Sequence, residues 1–190
     1  MSSKMRYITE EVRKVVSQNQ KAVVVSQWTS MLDLFAQHFR RMRIRCHLIA
    51  GSVAIKHRTE IVEDFNGNPD GAPVILLSLG AGGVGLNLIG GNHIFIADMH
   101  WNPQLEAQAC DRVYRVGQTK DVHVHRMITQ GTVEERILQL QQEKLAMANG
   151  ILTGAAKLAT KGLTIDDLKM LFNPGPPAYA PKPMVNQPEF

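Results

Sequence analysis

Cysteine is scarce in this chain, with two in 190 residues. Cys46 and Cys110 lie far apart and form no CxxC pair. That excludes a disulfide scaffold and a cysteine-based metal cluster, and leaves the reduced thiols of an intracellular protein. No apolar run reaches the roughly 18 residues of a membrane span, and no basic segment leads into an apolar one. Neither a membrane partner nor a secretion signal is therefore expected. No GxxxxGK[ST] stretch occurs, which excludes a Walker A loop. The glycines of GGVGLN lack the third position of a dinucleotide fingerprint. No internal repeat is present, so a solenoid is excluded. Acid is not in surplus either. Twenty-one basic residues against 17 acidic ones leave a formal charge of +4, which permits a polyanion partner without requiring one.

What is present is a foldable core, since 44% of residues are hydrophobic. A helix is expected over residues 5–19. KAVVVSQW then reads as a buried strand, Lys21–Ser26, and MLDLFAQHF has apolar residues at helical spacing. IRCHLIAG reads as a second strand closed by Gly51. Residues 55–65 suit a helix with Ile55, Ile61, Val62 and Phe65 inward. APVILLSL, the most apolar strand, is placed at the centre of the sheet, and NHIFIADM is another strand, ending at Asp98. Asn102 and Pro103 open a helix expected to run to about Arg115, with Gly117 ending it. DVHVHRMI alternates like a strand. Thr132 with Glu135 forms a capping box for a helix to about Ala148, and Thr164 with Asp167 repeats the signal more weakly.

Strands alternating with helices imply an α/β fold, a parallel sheet with helices on both faces. The expected organisation is a lobe over 1–149, a helical extension over 150–172 and a tail over 173–190. Six of the nine prolines fall in that tail, which is expected to be disordered or extended.

Ligands of such sheets lie at the carboxyl ends of the strands. Here those ends are followed by Ser26-Gln27-Trp28, Gly51-Ser52, LGAGGVGLN and Asp98–Asn102, all polar or glycine-rich. The glycine-rich segment Ser78–Leu88 lets backbone approach a phosphate or ribose, or is a plain tight turn. QACDRVYRVGQ is more informative. Gln108, Arg112 and Arg115 are spaced by four and three, which on a helix is one stripe roughly 60° wide. Two guanidiniums on one side suit phosphate oxygens. The alternative is a solvated face paired with Asp111 or Glu106. FRRMRIRCH holds four arginines and reads as a charged helix end or as an extra phosphate-facing patch. His123 and His125 share one strand face, without further ligands to suggest a metal.

AVVVSQW, AGS followed by Arg58, SLGAGGVGLNL, DMHWNP and QACDRVYRVGQ, in that order, resemble helicase motifs IV, V and VI of the Swi2/Snf2 ATPases. The resemblance covers roughly residues 21–145. It implies the second RecA-like lobe of a double-stranded DNA translocase, followed by C-terminal brace helices. In that family ATP lies between two lobes, with Mg2+ held by the first, which this chain does not contain. The resemblance implies Arg112 and Arg115 as the arginine fingers, and Gly83, Gly85, Asn87 and Gln108 as nucleotide contacts. It implies DNA-backbone contacts from Ser26, Gln27, Trp28, Gly51, Ser52, Arg58 and Ser78. Within the family, AGGVGLNL, GGNHIF and DMHWNP are most similar to members that terminate transcription by displacing RNA polymerase II. Two departures bear on DNA coupling: Ala50 stands where many members carry Asp, and Leu79-Gly80 replace a hydroxyl and a cation. The implied partners are double-stranded DNA, the first lobe and an RNA polymerase II elongation complex. The implied location is nuclear, with cytoplasmic residence left open. A chromatin remodeller, a DNA-repair translocase and a non-catalytic DNA- or partner-binding module are the alternatives. The chain alone is expected to turn over no ATP.

Overall fold

The computed structural model describes residues 1–83, 85–152 and 163–172. The chain divides into two compact units, Met1–Ile128 and Thr129–Phe190. Among the described residues no helix is long and apolar enough to cross a membrane.

The first unit is a five-stranded, wholly parallel sheet between two layers of helices. Its elements are α1 (Ser3–Ser17), β1 (Ala22–Ser26), α2 (Thr29–Arg41), β2 (Cys46–Ile49), α3 (Ile55–Gly67), β3 (Val74–Ser78), a 3-10 turn (Leu79–Gly83), β4 (His93–Ile96), α4 (Pro103–Cys110) and β5 (His123–Arg126). The strand order is β2-β3-β1-β4-β5. The central strand is thus β1, not the more apolar β3. Both strands are buried on both faces, so apolarity alone does not rank them.

Alternation along each strand assigns the two cores. Val24, Leu76 and Phe95 face α1 and α2, meeting Ile8, Val12, Phe35 and Phe39. Val23, Val25, Ile75, Leu77 and Ile94 face the other way, toward Ile61 and Phe65 of α3 and Ala109 of α4. Ile55, expected inward, is 71% exposed, because it is the first residue of α3 and lies beyond the sheet.

The end of α3 is held by backbone contact. Lys21 Nζ donates to the carbonyls of Phe65 and Asn68, each at 2.7 Å, and so caps the helix C-terminus. Gly90 and Gly91 lie against the same turn. A Cβ on Gly90 would meet the Phe65 carbonyl at 2.5 Å and Asn66 Cα at 2.7 Å.

At this same amino end of the strands, His93 on β4 lies beside His123 and His125 on β5, with ring centroids 4.7 and 5.4 Å away. Its Nδ1 is 3.1 Å from His125 Nε2 and its Nε2 2.5 Å from Gln20 Oε1. Burial first, then the two neighbouring histidines, pushes the His93 imidazolium down to about 4. Burial likewise lowers His125. Both cysteines are free, and burial pushes the Cys110 thiol up to about 11, which leaves it inert.

The second unit contains α5 (Val133–Leu152) and α6 (Ile165–Phe172). At α5 the expected box changes partner. Thr132 Oγ1 accepts the Glu134 N–H at 3.3 Å, and Glu134, not Glu135, reaches back to the Thr129 N–H at 2.7 Å. At α6 the pair expected to be weaker forms both bonds: Thr164 N–H to Asp167 at 2.9 Å and Asp167 N–H to Thr164 Oγ1 at 3.1 Å. Lys144 joins α5 to α6 through Asp167 at 3.3 Å. Most of the expected joiner and all of the Pro-rich tail lie outside the described residues.

Two outcomes are expected. Gly90→Ala should lower stability by about 1–3 kcal/mol in thermal denaturation, since the added carbon meets backbone that cannot rotate away. The depressed His93 value means that the unfolded chain binds the proton more readily between about pH 6.5 and 4. Stability should therefore fall as pH drops through that window, and His93→Asn should flatten the slope in urea titrations at several pH values.

Candidate functional site

The carboxyl ends of the strands in the first unit carry most of the residues singled out above. The β1 and β4 ends are tied by one carboxylate. Asp98 accepts the Ser26 hydroxyl and, at 2.9 Å, the Gln27 N–H. Ser26 Oγ in turn accepts the Trp28 N–H at 3.0 Å. Ser26 is fully buried, so its hydroxyl is an internal tie rather than an outward contact. Gln27 is half-buried, and Trp28 is 60% exposed at the start of α2, not a packing residue.

Gly51 and Ser52 are exposed in the turn after β2. Arg58, expected to touch a phosphate, is buried under that turn. Its Nε donates to the Val53 carbonyl at 2.7 Å and its guanidinium to the Gly51 carbonyl at 2.9 Å. It shapes the loop and presents little surface. Ser78, at the end of β3, is buried as well. Gly83 ends the 3-10 turn Leu79–Gly83, and Gly85 is exposed, with nothing within 4 Å of an added Cβ.

The arginine segment departs from its expected form. Asn102 caps α4 as expected, accepting the Gln104 N–H at 3.1 Å, but the helix ends at Cys110. Residues 111–117 continue as turns, so Gln108 lies on the helix and Arg112 and Arg115 do not. The helical stripe is therefore corrected to a turn. The ladder tightens there to i→i−3 bonds, Arg112 N–H to the Ala109 carbonyl at 3.3 Å and Val113 N–H to the Cys110 carbonyl at 3.0 Å, and the Arg112 carbonyl accepts the Leu88 N–H at 2.7 Å. A carbonyl turned toward a neighbouring loop is lost to the helical ladder. Gly117, at φ 100°, then takes the left-handed conformation that reverses the chain.

The same turn reaches the glycine-rich loop through a side chain. Arg115 is exposed, and its Nη1 lies 3.4 Å from the Leu86 carbonyl. Between Leu86 and Leu88 stands Asn87. Its Oδ1 is buried and has no hydrogen-bond partner among the described residues, while its carbonyl accepts from Asn66 at 2.8 Å. A guanidinium beside an open glycine suits phosphate oxygens, whereas the amide oxygen, an acceptor, calls for a hydroxyl or amino donor; a nucleotide carries both. Gln108 is exposed on α4, which packs against the 3-10 turn. Among the described residues no group of three or more His, Cys, Asp or Glu is placed to hold a metal ion.

Three residues hold backbone or partners that the sequence did not indicate for them. Asp98 is one. Glu106 is another: its carboxylate, 1% exposed, accepts the His100 N–H at 2.9 Å and faces Arg126 Nε at 3.5 Å. Gln118 is the third. Its Nε2 lies within 3.2 Å of the carbonyls of Ile89, Gly91 and Val113, and its Oε1 accepts the Thr119 and Lys120 N–H groups at 3.0 Å. An acid in the first turn of α4 and an amide directly after Gly117 were the available signals. Gln118→Glu, which keeps the shape but removes the donor, should destabilise the fold by about 1–3 kcal/mol in chemical denaturation.

Comparison with known proteins agrees with this architecture. Residues 3–117 match the helicase conserved C-terminal domain. Transcription termination factor 2 of Drosophila melanogaster is 50% identical over 173 residues, covering 90% of this chain and 16% of that protein. DNA repair protein RAD5 of Yarrowia lipolytica is 40% identical over 170 residues, covering 90% of the chain and 16% of that protein. The DNA repair and recombination protein RAD54-like of Drosophila yakuba is 41% identical over 154 residues, covering 81% of the chain and 20% of that protein. The chain thus spans a fifth or less of the length of these relatives. The crystal structure of the C-terminal part of the Fun30 ATPase domain superposes with a TM-score of 0.74 at 29% identity, covering 90% of this chain and 52% of that one. A wholly parallel five-stranded sheet, the family match across residues 3–117 and these relatives agree on one assignment: the chain belongs to the helicase conserved C-terminal domain family, as a C-terminal lobe of the Swi2/Snf2 ATPases.

Proposed function

We propose that this lobe completes an ATP site whose other half lies on a first RecA-like lobe, and that the pair translocates along double-stranded DNA. The observation that carries the reading is the joint between the arginine turn and the glycine-rich loop, Leu88 N–H to the Arg112 carbonyl and Arg115 to the Leu86 carbonyl. It holds the Arg115 guanidinium, and the backbone of Arg112, beside the loop that carries an exposed glycine and the buried Asn87 amide oxygen, at the strand ends where ligands of parallel sheets bind. Water would attack the γ-phosphorus of ATP bound there, the bond to the β–γ bridging oxygen would break and ADP and phosphate would leave, with Mg2+ expected on the first lobe.

In this reading Arg115 and Arg112 are fingers that stabilise charge on the transferred phosphoryl. Gly85 admits the nucleotide closely, and Asn87 and Gln108 offer amides to its ribose or base. Gln118 and Asp98 act at one remove, by holding the arginine turn and the β1–β4 corner. DNA would follow the exposed part of the same edge, with Gln27, Trp28, Gly51 and Ser52 meeting a phosphate backbone that carries no sequence information. Ser26, Arg58 and Ser78 support that surface from beneath.

The similarity to transcription termination factor 2 supports a whole protein that acts in ending transcription; in this reading it works in the nucleus and displaces RNA polymerase II from its template. The DNA-repair names among the relatives support the alternative, a repair translocase that uses the same lobe on another obstacle.

In the two-lobe enzyme, Arg115→Ala should lower kcat for ATP by about 10³–10⁵ while duplex affinity changes little. Arg115→Lys should not rescue it, because a point charge lacks the planar fork. Steady-state ATP turnover and DNA anisotropy measure the two quantities. Collapse of DNA binding with turnover intact would overturn the assignment. The chain alone should be silent, and turnover should appear, stimulated by DNA, when a separately purified first lobe is added.

A further inference from the structure

β2 ends the sheet on one side, and no strand among the described residues pairs with its outer edge. A parallel strand bonded on one side leaves alternate N–H and C=O groups pointing outward. The flanking helices do not close over it. A groove of about 850 Å³ follows β2 between α2 and α3. Cys46 and Leu48 turn toward α2, beside Ala36 and Ile44, and all four are only partly buried. His47 turns toward α3, where its Nε2 is 3.3 Å from Asp64. Apolar side chains beside an open backbone edge suit an extended chain.

The charges of the groove are unevenly satisfied. Asp64 also takes Asn68 Nδ2 at 2.8 Å and the Ala72 N–H at 3.4 Å, and Glu60 faces His57 at 3.1 Å. Arg45 donates to the carbonyls of Asp70 and Gly71. Arg40 and Arg43 are exposed, and neither has an ion-pair partner among the described residues. Asp33, on the same helix as Arg40, lies about two turns farther along the groove. The end where β2 begins is therefore cationic.

Helix polarity accounts for part of this. His38, Arg40 and Arg41 in the last turn of α2 complement its dipole. Arg43 is different. It lies beyond the helix at φ 58°, a left-handed position that glycine would occupy with less strain. Arginine bears a backbone strain there that glycine would not, and its side chain lines the groove. Nucleic acid is the poorer candidate, since a duplex has no amide ladder to offer the open edge of β2.

We propose that the open edge of β2 docks an extended acidic segment of a partner protein. The segment adds as a further strand beside β2 and sets its carboxylates against Arg40 and Arg43. The site lies at the amino end of the strands, opposite the edge that carries Arg115, and does not depend on the nucleotide reading.

The test uses the full 190-residue chain and a fluorescein-labelled peptide of alternating Glu and Val, read by anisotropy. Saturable binding is expected. Arg40→Glu with Arg43→Glu should weaken it at least tenfold, and methylation of alternate peptide amides should do the same by removing the ladder. A Lys–Val peptide should not compete. Arg43→Gly should weaken binding several-fold while Tm stays equal or rises, because the left-handed strain is relieved. That result separates lost docking from lost folding. No saturable binding, or binding indifferent to amide methylation or to charge reversal, would overturn the proposal. So would charge reversal that weakens a DNA duplex and leaves the peptide unchanged.

Discussion

One hydrogen bond governs the site, the 2.7 Å contact from the Leu88 N–H to the Arg112 carbonyl. It pins the turn that follows α4 to the glycine-rich loop. The ladder has already tightened after Cys110, where the Arg112 and Val113 N–H groups turn to the Ala109 and Cys110 carbonyls, and the Leu88 bond then fixes the turn that carries Arg112 and Arg115 against the loop. Gln118 closes the far side of the same joint by bonding to carbonyls on both segments. Two loops that are distant in sequence become one surface, and the guanidiniums inherit their place from backbone bonds rather than from helical periodicity.

The sheet makes that joint possible. β1 lies at the centre, so the ends of β3 and β4 flank it, and the loops that follow them meet in space. Asp98 locks the β1–β4 corner with one carboxylate facing two donors on the other strand's end. Arg58 does similar work for the turn after β2. The edge is thus built in two layers: buried polar residues that hold loop backbone, and exposed ones that are left for a ligand. Several residues that read as contacts belong to the first layer, because a serine or arginine at a strand end satisfies its neighbours before it meets solvent.

The opposite ends of the strands follow other rules. The imidazoles of His123 and His125 stack on His93, and His93 and His125 pack against Phe95; burial favours the neutral forms of His93 and His125. Along β2 an edge is unpaired among the described residues and cationic at one end, a feature that the nucleotide and DNA readings do not use.

Much of this was legible beforehand. Short β-branched runs alternating with amphipathic segments determine an α/β sheet, because burial on both faces demands continuous apolar strands. The pairs Asn102-Pro103 and Thr164–Asp167 determine helix starts, because capping is local in sequence. The ordered motifs carried the family. Tertiary structure decided where periodicity gives way. Nothing near Cys110 in the chain announces that an amide 24 residues earlier, at Leu88, will claim the Arg112 carbonyl, or that Asp98 will claim the Ser26 hydroxyl. Those partners are brought together only by strand order, and strand order is a property of the packed sheet rather than of any local segment.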